Sequence, residues 1–331
     1  MGDRKTILAV CTTALGDTLL CTPAIARLAE RFRVEVLVHQ RNLALFQGNP
    51  AVSRVIAYRN NQPWRWLLGL KLAGARYHRV LVMHANDDLK KLLPLLRYEE
   101  AANGQGWEDP GSRLTAVPID PALHVIEKRL ALAAWAGASK GFLHMSIYLT
   151  DDEREQGRQW LARQGEAPKG WVFMCPGAAL KYKRWPAERF GALAARLLER
   201  DHRVAIMGSD GEADLADQVE AACGRQLTRA LGLDLRLAGA LLSRAELLVT
   251  NDTGPMHLAQ AVGAPTLALF GPSDPVTIGP RRDPQAVLTA PPLHQPCRTK
   301  ACQEPLCLEA ITVEQAAQAA QGLLNRKDLA L

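Results

Sequence analysis

The sequence predicts an α/β protein built from two doubly wound domains, each with a parallel sheet covered by helices on both faces. Short continuous apolar runs alternate with helical patterns along the whole chain, which is typical of buried parallel strands. These runs fall into two series, and two series indicate two doubly wound units. A length of 331 residues suffices for two domains of about 150 residues each.

The sequence predicts eight strands in two series. The first series is 5–11, 34–39, 52–58 and 79–84, and the second is 170–177, 202–208, 245–252 and 264–271. The charged, Gly- and Pro-containing stretch 163–170 marks the boundary, so we assign 1–166 to the first domain and 167–331 to the second. Gly- and Pro-rich residues 104–121 predict a long surface loop, and a helix over 313–324 is expected to pack back on the body of the protein.

Composition indicates a soluble or membrane-peripheral protein. The chain is 48% hydrophobic and 22% charged, and its net charge of +6 favours phosphates, nucleotides, anionic lipid headgroups or nucleic acid as partners. The apolar stretch 7–15 is closed by Asp17 and is interpreted as a buried strand rather than a signal-peptide core. No apolar stretch is long enough to cross a bilayer. Seven cysteines, an odd number, favour a reducing compartment over a disulfide scaffold.

Polar clusters follow the predicted strands at the edge where α/β sheets bind ligands. The first cluster spans 12–32 (TTALGDTLLCTPAIARLAERF), where Gly16 allows a tight turn into a helix. Asp17, at the start of this helix, is either a helix cap or a carboxylate that acts as a general base. The residues alone leave both interpretations open.

The second cluster, PGAALKYKRWPAERF, spans 176–190 and contains a predicted helix start at Pro186. Lys181, Lys183 and Arg184 crowd this loop. Basic side chains are unfavourable beside a helix N-terminus unless an anion binds there, so the cluster predicts an anion site. A solvated surface loop is the alternative.

Two further clusters belong to the second domain. In GSDGEAD (208–214), Glu212 or Asp210 follows a strand at the place where an acid commonly holds ribose hydroxyls, although helix N-terminal charge explains it equally well. The other cluster joins the end of a strand to the first turn of a helix, where backbone N–H groups form an anion site. Its members are Asp252, Thr253, Gly254 and His257.

Missing motifs narrow the function. No G-x-x-x-x-G-K-[ST] occurs, which excludes a P-loop NTPase, and the Gly104–Gly106 pair lacks the context of a dinucleotide fingerprint. No D-x-D occurs either. A sugar-nucleotide enzyme of this kind would therefore neutralise its leaving diphosphate with Lys183 and a helix terminus rather than with a metal. Neither a metal nor another cofactor is expected.

Taken together, these motifs resemble the ADP-heptose:lipopolysaccharide heptosyltransferases, glycosyltransferase family nine, along nearly the whole chain. The matching blocks are LGDTLLCTPAIARL (15–28), HVIEKRLALAAWAG (124–137), PGAALKYKRWP (176–186), GSDGEAD (208–214), LLVTNDTGPMHLAQAVGAPTLALFGPSDP (247–275) and PCRTKACQEPLCLEAIT (296–312). The resemblance implies the GT-B type, in which two Rossmann-like domains face a central cleft.

The resemblance also implies roles for matching residues. Asp17 matches the general base that activates the acceptor hydroxyl, Lys183 matches the lysine that steadies the donor diphosphate, and Glu212 matches the acid that holds the ribose. The remaining predicted donor contacts are Asp252, Thr253, Gly254, His257, Thr12 and Thr13. For the anionic acceptor, Arg65 in NQPWRW and Lys90 in NDDLKKLL are the candidates.

The activity that this resemblance implies is inverting transfer of a heptose from ADP-heptose to the inner core of lipopolysaccharide. Such an enzyme is expected to be a cytoplasmic monomer in peripheral contact with the inner membrane, with no nucleic-acid partner. One alternative transfers another nucleotide sugar onto a cell-surface glycan. A second alternative binds a sugar nucleotide without turnover, and the intact Asp17 and Lys183 argue against it. An oxidoreductase is a more remote alternative.

The C-terminal cysteines leave one question open. Cys297, Cys302 and Cys307 are evenly spaced in a Pro-rich segment and, with His294, resemble an incomplete zinc site. Reduced thiols or a structural role are the alternative.

Overall fold

The computed structural model describes residues 4–59, 68–70, 72, 74–84, 92–104, 114–290 and 307–328. The chain divides into two compact units, Met1–Tyr148 (unit 1) and Leu149–Leu331 (unit 2). Each unit contains a six-stranded sheet, and every strand pair in both sheets is parallel. The predicted α/β class with two doubly wound units is confirmed.

Unit 1 has the strand order β3-β2-β1-β4-β5-β6. Its strands are β1 (Thr6–Cys11), β2 (Arg33–His39), β3 (Arg54–Tyr58), β4 (Arg76–Val82), β5 (Arg97–Gly104) and β6 (Leu114–Val117). Its helices include α1 (Leu15–Leu19), α2 (Thr22–Ala29) and α3 (Val125–Trp135), with 3-10 segments at Gln40–Phe46 and Leu93–Leu95.

Unit 2 repeats this architecture with the order β12-β11-β10-β7-β8-β9. Its strands are β7 (Trp171–Cys175), β8 (Arg203–Gly208), β9 (Thr228–Leu231), β10 (Leu247–Asn251), β11 (Thr266–Phe270) and β12 (Gln285–Thr289). Its helices include α4 (Asp151–Arg163), α5 (Ala187–Leu198), α6 (Ala213–Cys223), α7 (Leu235–Leu242), α8 (Gly254–Val262), α9 (Pro275–Ile278) and α10 (Val313–Asp328). Short 3-10 turns lie at Lys181–Lys183, Asp210–Glu212 and Leu308–Ala310.

The strand order of each sheet reverses at one point. In unit 1, β1 lies between β2 and β4, and Val10 pairs with Val82. In unit 2, β7 lies between β8 and β10, and Cys175 pairs with Thr250. Loops leave in opposite directions at such a switch point, which opens a crevice at the carboxyl ends of the two strands. The fold therefore marks the ends of β1 and β4, and those of β7 and β10, as ligand sites.

Continuous apolar runs form the central strands, as the sequence indicates. Every residue of β7, β10 and β11 is buried, since helices cover both faces of the sheet. Helix α10 adds to the core of unit 2 through one apolar face, which comprises Ala316, Ala320, Leu323 and Leu324. Among the helices of the described ranges, none combines the length and hydrophobicity that a membrane crossing requires.

The structure differs from the sequence-based expectation in its strands and in its domain boundary. Strands β5, β9 and β12 are absent from the two predicted series. Strand β6 lies within residues 104–121, where a surface loop was expected, because a four-residue edge strand with two exposed side chains leaves almost no periodic signal. The two compact units divide at 148/149 rather than at 166/167. Helix α4 groups with unit 2 because Glu153 forms an ion pair with Arg236 of α7, and Gly157 packs closely against Ala240.

Candidate active site

In unit 2, a lysine and an aspartate meet at the switch point of the sheet. Lys183 ends the 3-10 turn that follows β7, and Asp252 follows β10 directly. The Lys183 Nζ atom lies 2.5 Å from Asp252 Oδ2, and the side chains are 25% and 6% exposed. The ammonium group is thus held by a nearly buried carboxylate while a quarter of the side chain stays open to solvent. This arrangement suits a cation that must meet an anionic ligand.

Asn251 fixes the loop that carries Lys183. This fully buried side chain accepts a hydrogen bond from the Trp185 backbone N–H at 3.0 Å and donates one to the Pro176 carbonyl at 2.8 Å. The Trp185 indole in turn donates to the Ile311 carbonyl. Both ends of the Lys183 loop are therefore tied to the end of β10. The sequence signal for this clamp is an asparagine that, after Thr250, ends a buried strand beginning with three apolar residues.

The N-terminus of α8 provides the backbone part of the site. Thr253 is the N-cap residue, but no side chain of the described residues caps this helix, and Pro255 follows Gly254 in its first turn. Uncapped N–H groups at a helix N-terminus bind anions well. His257 is also on the first turn, and its side chain is buried at 3% exposure. The helix ends at Gly263, whose φ of 81° forms a left-handed C-cap.

Glu212 lies where the β7 and β8 loops come together. Its Oε2 atom accepts hydrogen bonds from the Ser209 backbone N–H at 2.7 Å and the Ser209 hydroxyl at 3.0 Å, which orients the carboxylate. A Cβ atom placed on Gly177 would lie only 1.7 Å from Oε1. Burial, followed by the charge of Glu212, raises the pKa of the Cys175 thiol, so this thiol remains neutral. Glu212 is thus a fixed carboxylate between the loops that follow β7 and β8.

In unit 1, Asp17 lies on α1, just after β1. Its side chain is 27% exposed. The loop before it is held by Asn42, whose amide donates to the Thr13 carbonyl and to the Thr18 hydroxyl, both at 3.0 Å. The Cys21 thiol donates to the Asp17 carbonyl at 3.1 Å. No side chain caps α1, so among the described contacts Asp17 does not act as the cap that the sequence left open.

A histidine follows the neighbouring strand β4. His84 Nδ1 lies 3.9 Å from Asp17 Oδ1, and Arg129 of α3 donates a hydrogen bond to the same nitrogen at 3.1 Å. Burial, which is the larger cause, and the Arg129 charge lower the pKa of His84, while the Asp17 charge acts in the opposite direction. His84 is therefore neutral at physiological pH.

The other predicted site residues lie in unit 1 or outside the described residues. Thr12 and Thr13 lie in unit 1, in the loop that leads to Asp17, and the Thr13 hydroxyl is buried without a hydrogen-bond partner in the described part of the chain. Arg65 and Lys90 lie outside the described residues. The same holds for the remaining members of the possible zinc site, Cys297, Cys302 and His294. Elsewhere in the described ranges, no group of three or more His, Cys, Asp or Glu side chains is arranged to hold a metal ion.

Comparison with known proteins identifies the family. The model of glycosyltransferase family 9 (heptosyltransferase) matches residues 65–308, which is more than half of the chain. The chain belongs to glycosyltransferase family 9. This heptosyltransferase family is the one that its motifs resemble, so the predicted family and the predicted glycosyltransferase class are confirmed.

Individual members agree with this assignment. The family 9 chain is 35% identical over 226 residues to lipopolysaccharide heptosyltransferase 2 of Salmonella typhimurium, covering 63% of this chain and 64% of that enzyme. It is 27% identical over 360 residues to lipopolysaccharide heptosyltransferase 1 of Pseudomonas aeruginosa, covering 96% and 98%. In fold it resembles the solved E. coli ADP-heptose lipopolysaccharide heptosyltransferase II, with a TM-score of 0.81 and 21% identity over 98% and 99% of the two chains.

The structure thus brings part of the predicted site together. Lys183 and Asp252 are in contact, Thr253 and Gly254 begin the adjacent helix, and Glu212 lies beside the loop after β7. Sequence reasoning missed Asn251, Asn42, His84 and Arg129 as members of the two sites, since each acts through contacts between distant segments.

Proposed function

We propose that this family 9 enzyme transfers a heptose from ADP-heptose to the inner core of lipopolysaccharide. The observation that carries this proposal is the Lys183–Asp252 pair beside the uncapped N-terminus of α8, at the switch point of unit 2. Such a site suits a diphosphate. The names of the Salmonella, Pseudomonas and E. coli relatives support heptose as the sugar and lipopolysaccharide as the acceptor.

On the donor side, Lys183 and the backbone N–H groups of Thr253 and Gly254 would neutralise the diphosphate as it departs. Asp252 holds the ammonium group of Lys183 in place, so little reorganisation is needed when charge develops on the leaving oxygen. Glu212 would accept hydrogen bonds from the ribose hydroxyls. His257, on the first turn of α8, would add a donor near the phosphates, and Thr12 and Thr13 complete the proposed donor contacts.

On the acceptor side, Asp17 would act as general base. The acceptor hydroxyl transfers its proton to the Asp17 carboxylate, its oxygen forms a bond to the anomeric carbon of the heptose, and the bond from that carbon to the ADP oxygen breaks. Attack opposite the leaving group inverts the anomeric configuration in one displacement. Most of the rate enhancement would come from positioning and charge stabilisation.

The setting follows from the substrates. A cationic chain of net charge +6 suits an anionic glycolipid, with Arg65 and Lys90 as proposed acceptor contacts. We expect a monomer at the cytoplasmic face of the inner membrane, where a nucleotide-activated sugar and a lipid-linked acceptor meet.

A donor and acceptor panel tests this function. Released ADP or UDP is measured with ADP-heptose or UDP-hexoses as donors, against lipopolysaccharides truncated at successive inner-core positions. The proposal predicts release only with ADP-heptose and with acceptors that lack an inner-core heptose. Release only with a UDP-hexose would contradict the donor assignment.

An Asp17→Ala variant separates catalysis from binding. It should bind ADP-heptose as the wild type does and lose transfer by about 10²–10⁴-fold, the usual contribution of a general base. Unchanged transfer with intact donor binding would show that Asp17 is not the base. Donor binding by the wild type without transfer to any acceptor would favour a sugar-nucleotide-binding protein.

A further inference from the structure

The surroundings of Asp17 contain a histidine–arginine pair that the proposed displacement does not use. His84 follows β4, and Arg129 lies on the second turn of α3, so the pair joins two segments at the switch point of unit 1. His84 and Asp17 are 39% and 27% exposed, and the Arg129 Nε atom is buried. These three side chains therefore lie at the edge of the crevice of unit 1, with the guanidinium group of Arg129 on the buried side.

The hydrogen bond between Arg129 and His84 determines where the ring proton is. A guanidinium group has only donors, so at 3.1 Å from Arg129 Nη2 the His84 Nδ1 atom must be the acceptor. Nδ1 then carries no proton, and the neutral ring carries its proton on Nε2. The ring nitrogen that lies 3.9 Å from Asp17 Oδ1 therefore carries a lone pair rather than a proton.

Protonation of Nδ1 would reverse this arrangement. Two donors would then oppose each other between His84 and Arg129, and the positive charge of the imidazolium would lie 3.9 Å from Asp17 Oδ1. A positive charge at this distance favours the charged form of the carboxylate and so makes it a weaker base for the acceptor hydroxyl. The charged groups that act on His84 in the described residues are Asp17 and Arg129, and the buried thiols of Cys11 and Cys21 also interact with Arg129.

We propose that Arg129 is a positioning residue for the base: its hydrogen bond to His84 Nδ1 holds the neutral ring in the Nε2–H form, so that the Asp17 carboxylate stays open to the acceptor hydroxyl. This inference rests on the proposed function, in which Asp17 is the general base. Arg129 and His84 touch neither donor nor acceptor in this scheme. They act by keeping the charge of an imidazolium away from the Asp17 carboxylate.

The first test needs no substrate. In wild-type protein labelled with ¹⁵N-histidine, the ring nitrogens of His84, assigned by comparison with His84→Asn, should show the Nε2–H form at neutral pH. The ring should titrate below the ordinary pKa of histidine. In Arg129→Met, of similar length but without donors, its midpoint should rise by about one pH unit. An Nδ1–H form in the wild type, or an unchanged midpoint in Arg129→Met, would overturn the proposal.

The second test follows the pH dependence of transfer. The acid limb of kcat/KM should move upward by about one pH unit in Arg129→Met and by less in Arg129→Lys, which keeps a cationic donor. In the His84→Asn background, Arg129→Met should cause no further shift. A uniform loss at every pH, or a shift that persists without His84, would assign Arg129 a purely structural role and overturn the proposal.

These tests separate the inference from the proposed function. If Asp17→Ala keeps full transfer while the ring is in the Nε2–H form, the assignment of the base fails and the Arg129–His84 arrangement stands. If Arg129→Met does not fold, the tautomer in the wild type and the Arg129→Lys profile still decide the outcome.

Discussion

Replacing Gly177 with alanine tests whether Glu212 binds the donor. The added Cβ would lie 1.7 Å from Glu212 Oε1, whereas ordinary contacts begin at 3.4 Å, so the carboxylate must retreat by about 1.7 Å. Its 2.7 Å bond to the Ser209 N–H would not survive such a shift. The clash involves only the end of a flexible side chain, so the backbone of the β7 loop should remain in place.

The main expected effect is therefore on donor binding, with a smaller loss of stability because the capping interaction between Glu212 and Ser209 is broken. Loss of one hydrogen bond from ribose to a charged carboxylate costs about 1.5–3 kcal/mol, which corresponds to an increase of about 10- to 150-fold in the KM for ADP-heptose. Steady-state kinetics with varied ADP-heptose, together with thermal unfolding, measure the two effects separately. A Glu212→Ala variant should raise this KM similarly, and the double variant should add little to either change.

Gly211→Ala is the matched control. This glycine lies in the same turn as Glu212, and a Cβ placed on it has no neighbour within 4 Å, so its KM should stay within about twofold of the wild type. A wild-type KM in Gly177→Ala, or an equal increase in Gly211→Ala, would refute the role of Glu212 in donor binding.

Three other predictions concern charge and metal. Lys183→Ala should lower kcat/KM by about 10²–10³-fold, because a cation that stabilises the leaving diphosphate is lost. Lys181 is exposed in the same turn, so Lys181→Ala should change kcat/KM little. Equal losses in the two variants would contradict the role of Lys183. The Arg236 guanidinium lowers the pKa of Glu153 from 4.5 to about 2, so stability present at neutral pH is lost as pH falls below 4.5. Between about pH 7 and pH 3, the free energy of unfolding in urea should fall by about 2 kcal/mol more in the wild type than in Glu153→Gln. Equal decreases in the two proteins would argue against a stabilising ion pair between Glu153 and Arg236. EDTA should leave the rate of transfer within about twofold of the untreated rate. A loss of rate that Mg²⁺ restores would show that Lys183 and the N-terminus of α8 do not suffice to neutralise the leaving diphosphate.

The fold could be predicted from the sequence wherever strands are buried on both faces. Strands β1, β7, β10 and β11 are continuous apolar runs because helices cover both sides, and these runs identify the two sheets. The edge strand β6 gave no such signal, since two of its four side chains are exposed. The position of α4 depends on an ion pair between Glu153 and Arg236, which no local pattern reveals.

The site was predictable to the extent that it lies at strand ends. Asp17, Lys183 and Asp252 each follow a buried strand, and parallel strands bring such residues to one edge of their own sheet. The residues that orient them were not predictable in the same way. Asn251 contacts Trp185 from 66 positions away, and His84 contacts Arg129 across 45, so only the folded chain shows these pairs.

The most direct measurement of the central claim is product analysis. The enzyme is incubated with ADP-heptose and a lipopolysaccharide acceptor that lacks its inner-core heptose, and the acceptor mass is compared with the amount of ADP released. The proposed reaction requires that the acceptor gain one heptose for each ADP released, and that Asp17→Ala lower both changes together by about 10²–10⁴-fold. Release of ADP without gain of a heptose on the acceptor, or equal gain with Asp17→Ala, would contradict it.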